Sequence, residues 1–385
     1  MTDTWGPMTE PFEVLGLEEL RTRTSIKWAM YDADVLPLWV AEMDALPAPA
    51  IVAAVTDSML RGNTGYPPLD TSYAEAFAHV ARSRWQWEVD VAATCVVADV
   101  LVGVREALQL VTKPGDGVIV PSPVYPPLLE FTAALGLRVV PVALDENFRL
   151  DIQAIANAMD AGDVTALLLC SPHNPTGTVH NADELDAVAQ LAAEFGIGVV
   201  VDEIHALLVP EGSVFTPYLS LADNGLVVTS ASKAFNLAGL KAATIVAGPE
   251  SAHLLERLPM SVKHGTSFLG VTAHIAAWRG GGAWIDAVNA NVASNIDHLA
   301  LLLDEHLPEV GLHRPEATYL AWLDCTRLGL GDDPAAAFLE RGRVALNSGL
   351  PFGLGGAGHV RINLAASRTT IAEAVDRMAR TVSTA

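Results

Sequence analysis

The sequence predicts an α/β fold: a larger domain on a mostly parallel sheet and a second, smaller α/β domain. Three observations point there. Between about residue 93 and residue 248, short apolar runs alternate with longer helical stretches, the pattern of βαβ units. The run Gly280-Gly281-Gly282 then interrupts the chain. Beyond it Ile285, Val288, Val292, Ile296, Leu299, Leu303 and Leu307 recur at spacings of three or four, which is one apolar face of a long helix. A chain of 385 residues has room for about two domains.

Taken in order, residues 1–45 read as irregular, with short helical potential near 16–23. Strands are expected at 94–98, 117–121, 138–143, 166–170, 197–201, 225–230 and 243–247, where short, mainly apolar, β-rich runs alternate with helical stretches. Helices are expected between them, at 128–135, 152–159 and 183–195. One motif is a decoy. Gly353-Leu354-Gly355-Gly356-Ala357-Gly358 has the letters of a dinucleotide fingerprint. Pro351-Phe352 precedes it instead of a strand, and a strand-like run follows instead of a helix, so a flexible loop is expected.

Composition narrows the class. Hydrophobic residues make up 51% of the chain, enough for a large core. The formal net charge of −22 repels nucleic acid and anionic membrane, so neither is an expected partner. No apolar run has the length of a membrane span, and the N-terminus lacks the basic flank and apolar core of a signal peptide. Cys95, Cys170 and Cys325 are odd in number and widely spaced, as buried thiols of a reducing cytosol would be. A cytoplasmic location is expected. The histidines lack a His-Glu-x-x-His spacing, so no metal site is expected. Ser122, Ser230 and Ser232 lack a G-x-S-x-G elbow, which disfavours a hydrolase.

The chemistry collects at the ends of three apolar runs. After Gly225-Leu226-Val227-Val228-Thr229 comes Ser230-Ala231-Ser232-Lys233, with a second cation, Lys241, eight residues beyond Lys233. A lysine amine can condense with an aldehyde, and the hydroxyls and second cation can hold phosphate oxygens. After Ala166-Leu167-Leu168-Leu169 comes Cys170-Ser171-Pro172-His173-Asn174-Pro175-Thr176-Gly177, a sharp turn from which Asn174 can point back across the strand ends. By itself this is equally a strand-to-helix loop with Asn181 or Asp183 capping the next helix. After Gly198-Val199-Val200-Val201 come Asp202 and, three residues on, His205. Singly they read as a helix cap and a satisfied histidine. Together, amide, acid and amine at successive strand ends meet the needs of pyridoxal 5′-phosphate: a donor for the phenolic oxygen, an acid for the ring nitrogen, an amine for the aldehyde.

At these residues the chain resembles the class I/II aminotransferase family of fold-type I pyridoxal phosphate enzymes, over nearly its whole length. Arg23-Thr24-Ser25-Ile26-Lys27-Trp28, the stretch Asp34 to Asp44, and Val201-Asp202-Glu203-Ile204-His205 are similar to the cystathionine β-lyase-like (MalY/PatB) branch. Glu42 stands where that branch usually has aspartate, Leu207 lies where an acid is frequent, and Lys241 replaces the usual phosphate-binding arginine. Lysine still binds phosphate, as a point charge without the bidentate fork.

The resemblance implies further roles. Lys233 is the catalytic amine. Ser230, Ser232, Lys241 and the amides of Gly103 and Val104 would hold the phosphate, and Tyr125 would stack on the ring. Asn174, Asp202 and His205 would contact the ring's polar atoms. Tyr66 would reach the partner subunit's phosphate, which implies a homodimer. Arg361 would clamp the α-carboxylate of an amino-acid substrate, with Ala41 beside it. Residues 46–282 would form the large cofactor-binding domain, and 1–45 with 283–385 the small one. The activity implied is β-elimination from cystathionine or a related cysteine S-conjugate, giving a thiol, pyruvate and ammonia. Transamination uses the same cofactor residues and stays open, as does a regulatory role for the fold as an interaction surface.

Overall fold

The structure, a computed structural model, describes residues 10–383. Its largest sheet has seven strands: β1 Thr94–Val97, β2 Gly117–Ser122, β3 Arg138–Ala143, β4 Val164–Cys170, β5 Gly198–Asp202, β6 Leu226–Thr229 and β7 Ala243–Ala247. They lie in the order β1-β7-β6-β5-β4-β2-β3. The pairs among β2 to β6 are all parallel. Strand β7 runs antiparallel to both of its neighbours. Each of these strands was expected from its apolar run. The reversal of β7 was not, because a strand buried on both faces looks alike in either direction. Val118, Ile119, Val120, Val200, Val227 and Val228 are fully buried in this sheet.

Helices cover both faces, and local sequence accounts for their ends. Ala182–Phe195 begins with a capping box between Asn181 and Glu184 and ends at Gly196 in the left-handed conformation. Val100–Val111 is capped by Asp99, whose carboxylate accepts from the Val102 N–H. The glycine run resolves into one sharp break. Helices Phe268–Gly280 and Gly282–His306 meet at Gly281. A Cβ there would come within 2.4 Å of Phe235 and 2.5 Å of the Ala277 carbonyl, so only glycine fits.

A four-stranded antiparallel sheet follows in the chain, ordered Asn347–Ser348, His359–Asn363, Leu320–Asp324 and Gly311–His313. The N-terminal stretch joins it. Leu36–Pro37 pairs in parallel with Val344–Ala345, and the Asn363 N–H donates to the Leu38 carbonyl at 2.9 Å. Lys27 and Asp44, both 1% exposed, form a buried ion pair at 2.7 Å. The glycine-rich 353–358 segment feeds a strand, His359–Asn363, with no helix after it. No helix among the described residues is long and apolar enough to cross a membrane.

Candidate active site

Strands β4, β5 and β6 are neighbours and parallel, so their C-terminal ends share one edge of the sheet. Cys170 pairs with Asp202, and Asp202 with Val228. The turns that leave this edge carry Asn174 and Lys233, with Asp202 between them. This is the edge at which open α/β sheets place ligands. A cavity of about 260 Å³ opens there, lined by Asn174, Asp202, His205, Ser232, Lys233, Lys241, Tyr125, Arg361 and Ala41 among others. Strand His359–Asn363 of the smaller sheet delivers Arg361, and the segment Trp39-Val40-Ala41 closes the same side.

Electrostatics make this cavity unusual. Asp202 is 3% exposed, and burial raises its carboxyl to about 7, against the pull of the Ile204 N–H and of Lys233. Lys233 is lowered by burial to about 8, helped by Arg361 and Lys241 and opposed by Glu42 and Asp202. Its Nζ donates to the Ala41 carbonyl at 3.2 Å. His205 is lowered to about 3 by burial, then by Lys233 and Arg361, so it is neutral, and its Nδ1 is buried without a hydrogen-bond partner.

Arg361 is 2% exposed, and burial lowers it to about 10. Its Nη1 donates to Asn174 Oδ1 at 2.9 Å and its Nη2 to the Trp39 carbonyl at 3.1 Å. Its guanidinium lies 5.2 Å from the centre of the Phe352 ring. Its Nε is buried with no partner, and among the described residues no carboxylate lies within ion-pair distance. A buried cation with only neutral acceptors and an orphaned N–H fits an incoming carboxylate.

Several expected residues sit elsewhere. Gly103 and Val104 do not reach the cavity. The Gly103 N–H donates to the Asp99 carbonyl at 2.9 Å inside the helix, and a Cβ on Gly103 would meet Val228 at 2.5 Å. Their place is packing against the sheet. Asp99, Val100 and Leu101 line the cavity instead, because the helix starts at Val100, three residues before Gly103. The Ser230 hydroxyl donates to the Ala242 carbonyl at 2.7 Å and accepts from the Ser232 N–H, so it closes the lysine turn. Tyr66 is 88% exposed and lies outside the cavity. Tyr125, at the N-cap of helix Pro126–Ala134, lines it, and burial raises its hydroxyl.

Sequence reading missed Asp99, Trp39 and Asn347 on the cavity wall. Asp99 carried a usable signal, an acid just before an apolar helical run. It also pairs with Lys241 at 3.0 Å, so a carboxylate shares the space of the second cation. Asn347 pairs with Arg361 across two strands, which no local pattern announces.

The family model described as aminotransferase class I and II matches residues 33–378, and the chain belongs to that family. A Mycobacterium tuberculosis protein provisionally named cystathionine beta-lyase is 49% identical over 97% of this chain and 98% of its own length. The cystathionine beta-lyase of Corynebacterium glutamicum is 34% identical over 94% of this chain and 98% of its own. A solved Corynebacterium diphtheriae structure, provisionally described as a PLP-dependent beta-cystathionase, superposes with a TM-score of 0.91. It is 33% identical, covering 96% of this chain and 98% of that one.

Proposed function

We propose that this chain is a pyridoxal 5′-phosphate-dependent C–S β-lyase that cleaves cystathionine or related cysteine S-conjugates into a thiol, pyruvate and ammonia. The convergence of Lys233, Asp202, Asn174 and Arg361 on one cavity at the strand ends carries the cofactor assignment, and the similarity to named cystathionine beta-lyases favours elimination over transamination. The donor set fits the cofactor. Asp202 is a buried acid whose ionised form calls for a cationic partner such as a protonated ring nitrogen. Asn174 offers its amide N–H₂, and Ser232 and Lys241 offer donors to a phosphate. When bound, pyridoxal 5′-phosphate supplies an electron sink for negative charge at the substrate Cα.

The chain's own residues supply the rest. Arg361 binds the substrate carboxylate through N–H groups that now face neutral acceptors. Tyr125, on the cavity wall, would pack against the cofactor ring. Lys233, lowered to about 8, holds about a tenth of its amine neutral at pH 7, and that neutral form takes the Cα proton. It then returns that proton toward the leaving sulfur. Ala41, whose carbonyl accepts from Lys233, borders the substrate side. Residues 46–282 form the cofactor-binding unit, and 1–45 with 283–385 the unit that bears on the substrate. The protein acts as a cytoplasmic homodimer on a small amino acid, with exposed Tyr66 reaching across to the second copy.

Lys233→Ala tests the assignment. It should abolish the visible absorbance of bound cofactor together with turnover. Retained absorbance and activity would overturn it.

A further inference from the structure

The segment that closes the cavity is held by side chains from distant parts of the chain. Arg361 donates to the Trp39 carbonyl. Asn363 Nδ2 donates to the carbonyls of Val40 and Glu42, both at 2.7 Å. Lys233 and Tyr319 donate to the Ala41 carbonyl, at 3.2 and 3.1 Å. Most of these donors come from the smaller sheet or from groups that the reaction itself uses. Asn236 differs. It lies three residues after Lys233 on the same turn and makes a two-bond clamp. Its Oδ1 accepts from the Met43 N–H at 2.9 Å, and its Nδ2 donates to the Met43 carbonyl at 3.0 Å.

The turn bearing Asn236 is itself stiff. The Phe235 N–H donates to the Ala231 carbonyl at 3.0 Å and the Leu237 N–H to the Ser232 carbonyl at 2.8 Å. Asn236 has φ +56°, in the left-handed region, where glycine is at ease and asparagine is tolerated. A glycine would satisfy that backbone without strain but could not bridge to Met43. The clamp is therefore what the side chain adds.

We propose that Asn236 is a positioning residue that sets the register between the lysine turn and the substrate-facing segment 39–43. It rests on the assignment of Lys233 as the cofactor lysine. Trp39, Val40 and Ala41 line the cavity two to four residues before Met43. Losing the clamp leaves Met43 with one side-chain bond, from Arg23 Nη1 to its carbonyl at 3.2 Å, and lets that wall shift relative to Lys233 and Arg361, while Asp202 and Asn174 keep their places on the sheet edge. Substrate binding then suffers more than the chemical step.

The test compares wild type, Asn236→Gly and Asn236→Asp as cofactor-loaded enzymes. Asn236→Gly keeps the left-handed turn and removes both bonds. Its KM for L-cystathionine rises about tenfold while kcat changes about twofold or less, the scale set by losing two part-buried hydrogen bonds. Amide hydrogen exchange in segment 39–45 speeds up by a similar factor, and the cofactor absorbance keeps its intensity. Asn236→Asp retains the acceptor for the Met43 N–H and falls between the two. Wild-type KM and wild-type exchange of segment 39–45 in Asn236→Gly would overturn the proposal. So would a loss of absorbance equal to the loss of activity, which marks a merely structural role. Wild-type protein without the cofactor band would instead refute the Lys233 assignment, and the exchange comparison would still decide whether Asn236 clamps Met43.

Discussion

Replacing Arg361 with methionine separates binding from stability in a way the structure makes quantitative. The guanidinium is 2% exposed, and burial holds it at about 10. That displacement corresponds to roughly 3 kcal/mol against the charged form. Two hydrogen bonds to neutral acceptors, Asn174 Oδ1 and the Trp39 carbonyl, offset it by about 1.5 kcal/mol each. The two sums nearly cancel, and methionine fills most of the same volume. Methionine leaves the Asn174 Oδ1 and the Trp39 carbonyl without that donor, at about 1 kcal/mol each, so Arg361→Met should lower the unfolding free energy by about 2 kcal/mol or less. Function should respond quite differently. A lost bidentate pair with the substrate carboxylate, at about 3–4 kcal/mol, raises KM on the order of several hundredfold. The assays are denaturant unfolding of the variant and steady-state kinetics with L-cystathionine. A destabilisation of about 3 kcal/mol or more with little change in KM would refute the reasoning, because the guanidinium would then be a structural cation.

Lys27→Met strands Asp44, a carboxylate 1% exposed whose pKa burial already raises, and should cost about 3–5 kcal/mol in denaturant unfolding. Cofactor loading into stripped enzyme should accelerate as pH rises and level off above about 8, since the neutral amine of Lys233 is the nucleophile; stopped-flow absorbance reads this, and a rate still climbing near pH 10 would contradict it. Gly103→Ala pushes a methyl to 2.5 Å from Val228 and should cost about 1–3 kcal/mol in stability with cofactor affinity unchanged, as differential scanning calorimetry and cofactor titration would report.

The parts that local sequence specifies were legible before the structure. Asn174, Asp202 and Lys233 each follow an apolar run, and those runs are adjacent parallel strands, so one cavity collects all three. Arg361 came from the family resemblance, and the structure sets it on strand His359–Asn363 beside the same cavity. What escaped depends on distance along the chain. The Asn236 clamp on Met43 and the Tyr319 bond to Ala41 join residues far apart in sequence. Nothing in either local stretch marks such a partner. The direction of β7 escaped because full burial erases the alternation that distinguishes faces. The resemblance put Gly103 and Val104 at a helix N-terminus, whereas the helix starts at Val100 and the cavity meets Asp99, Val100 and Leu101. The Asp99 cap, not hydropathy, fixes that start.

The most direct test of the central claim is a paired product assay. Purified, cofactor-loaded protein is given L-cystathionine with no added 2-oxo acid, and pyruvate and ammonia are measured together. Equal amounts of pyruvate and ammonia, with a matching amount of free thiol, are the predicted result. Turnover that requires an added 2-oxo acid and releases neither ammonia nor thiol would contradict it and make the protein an aminotransferase.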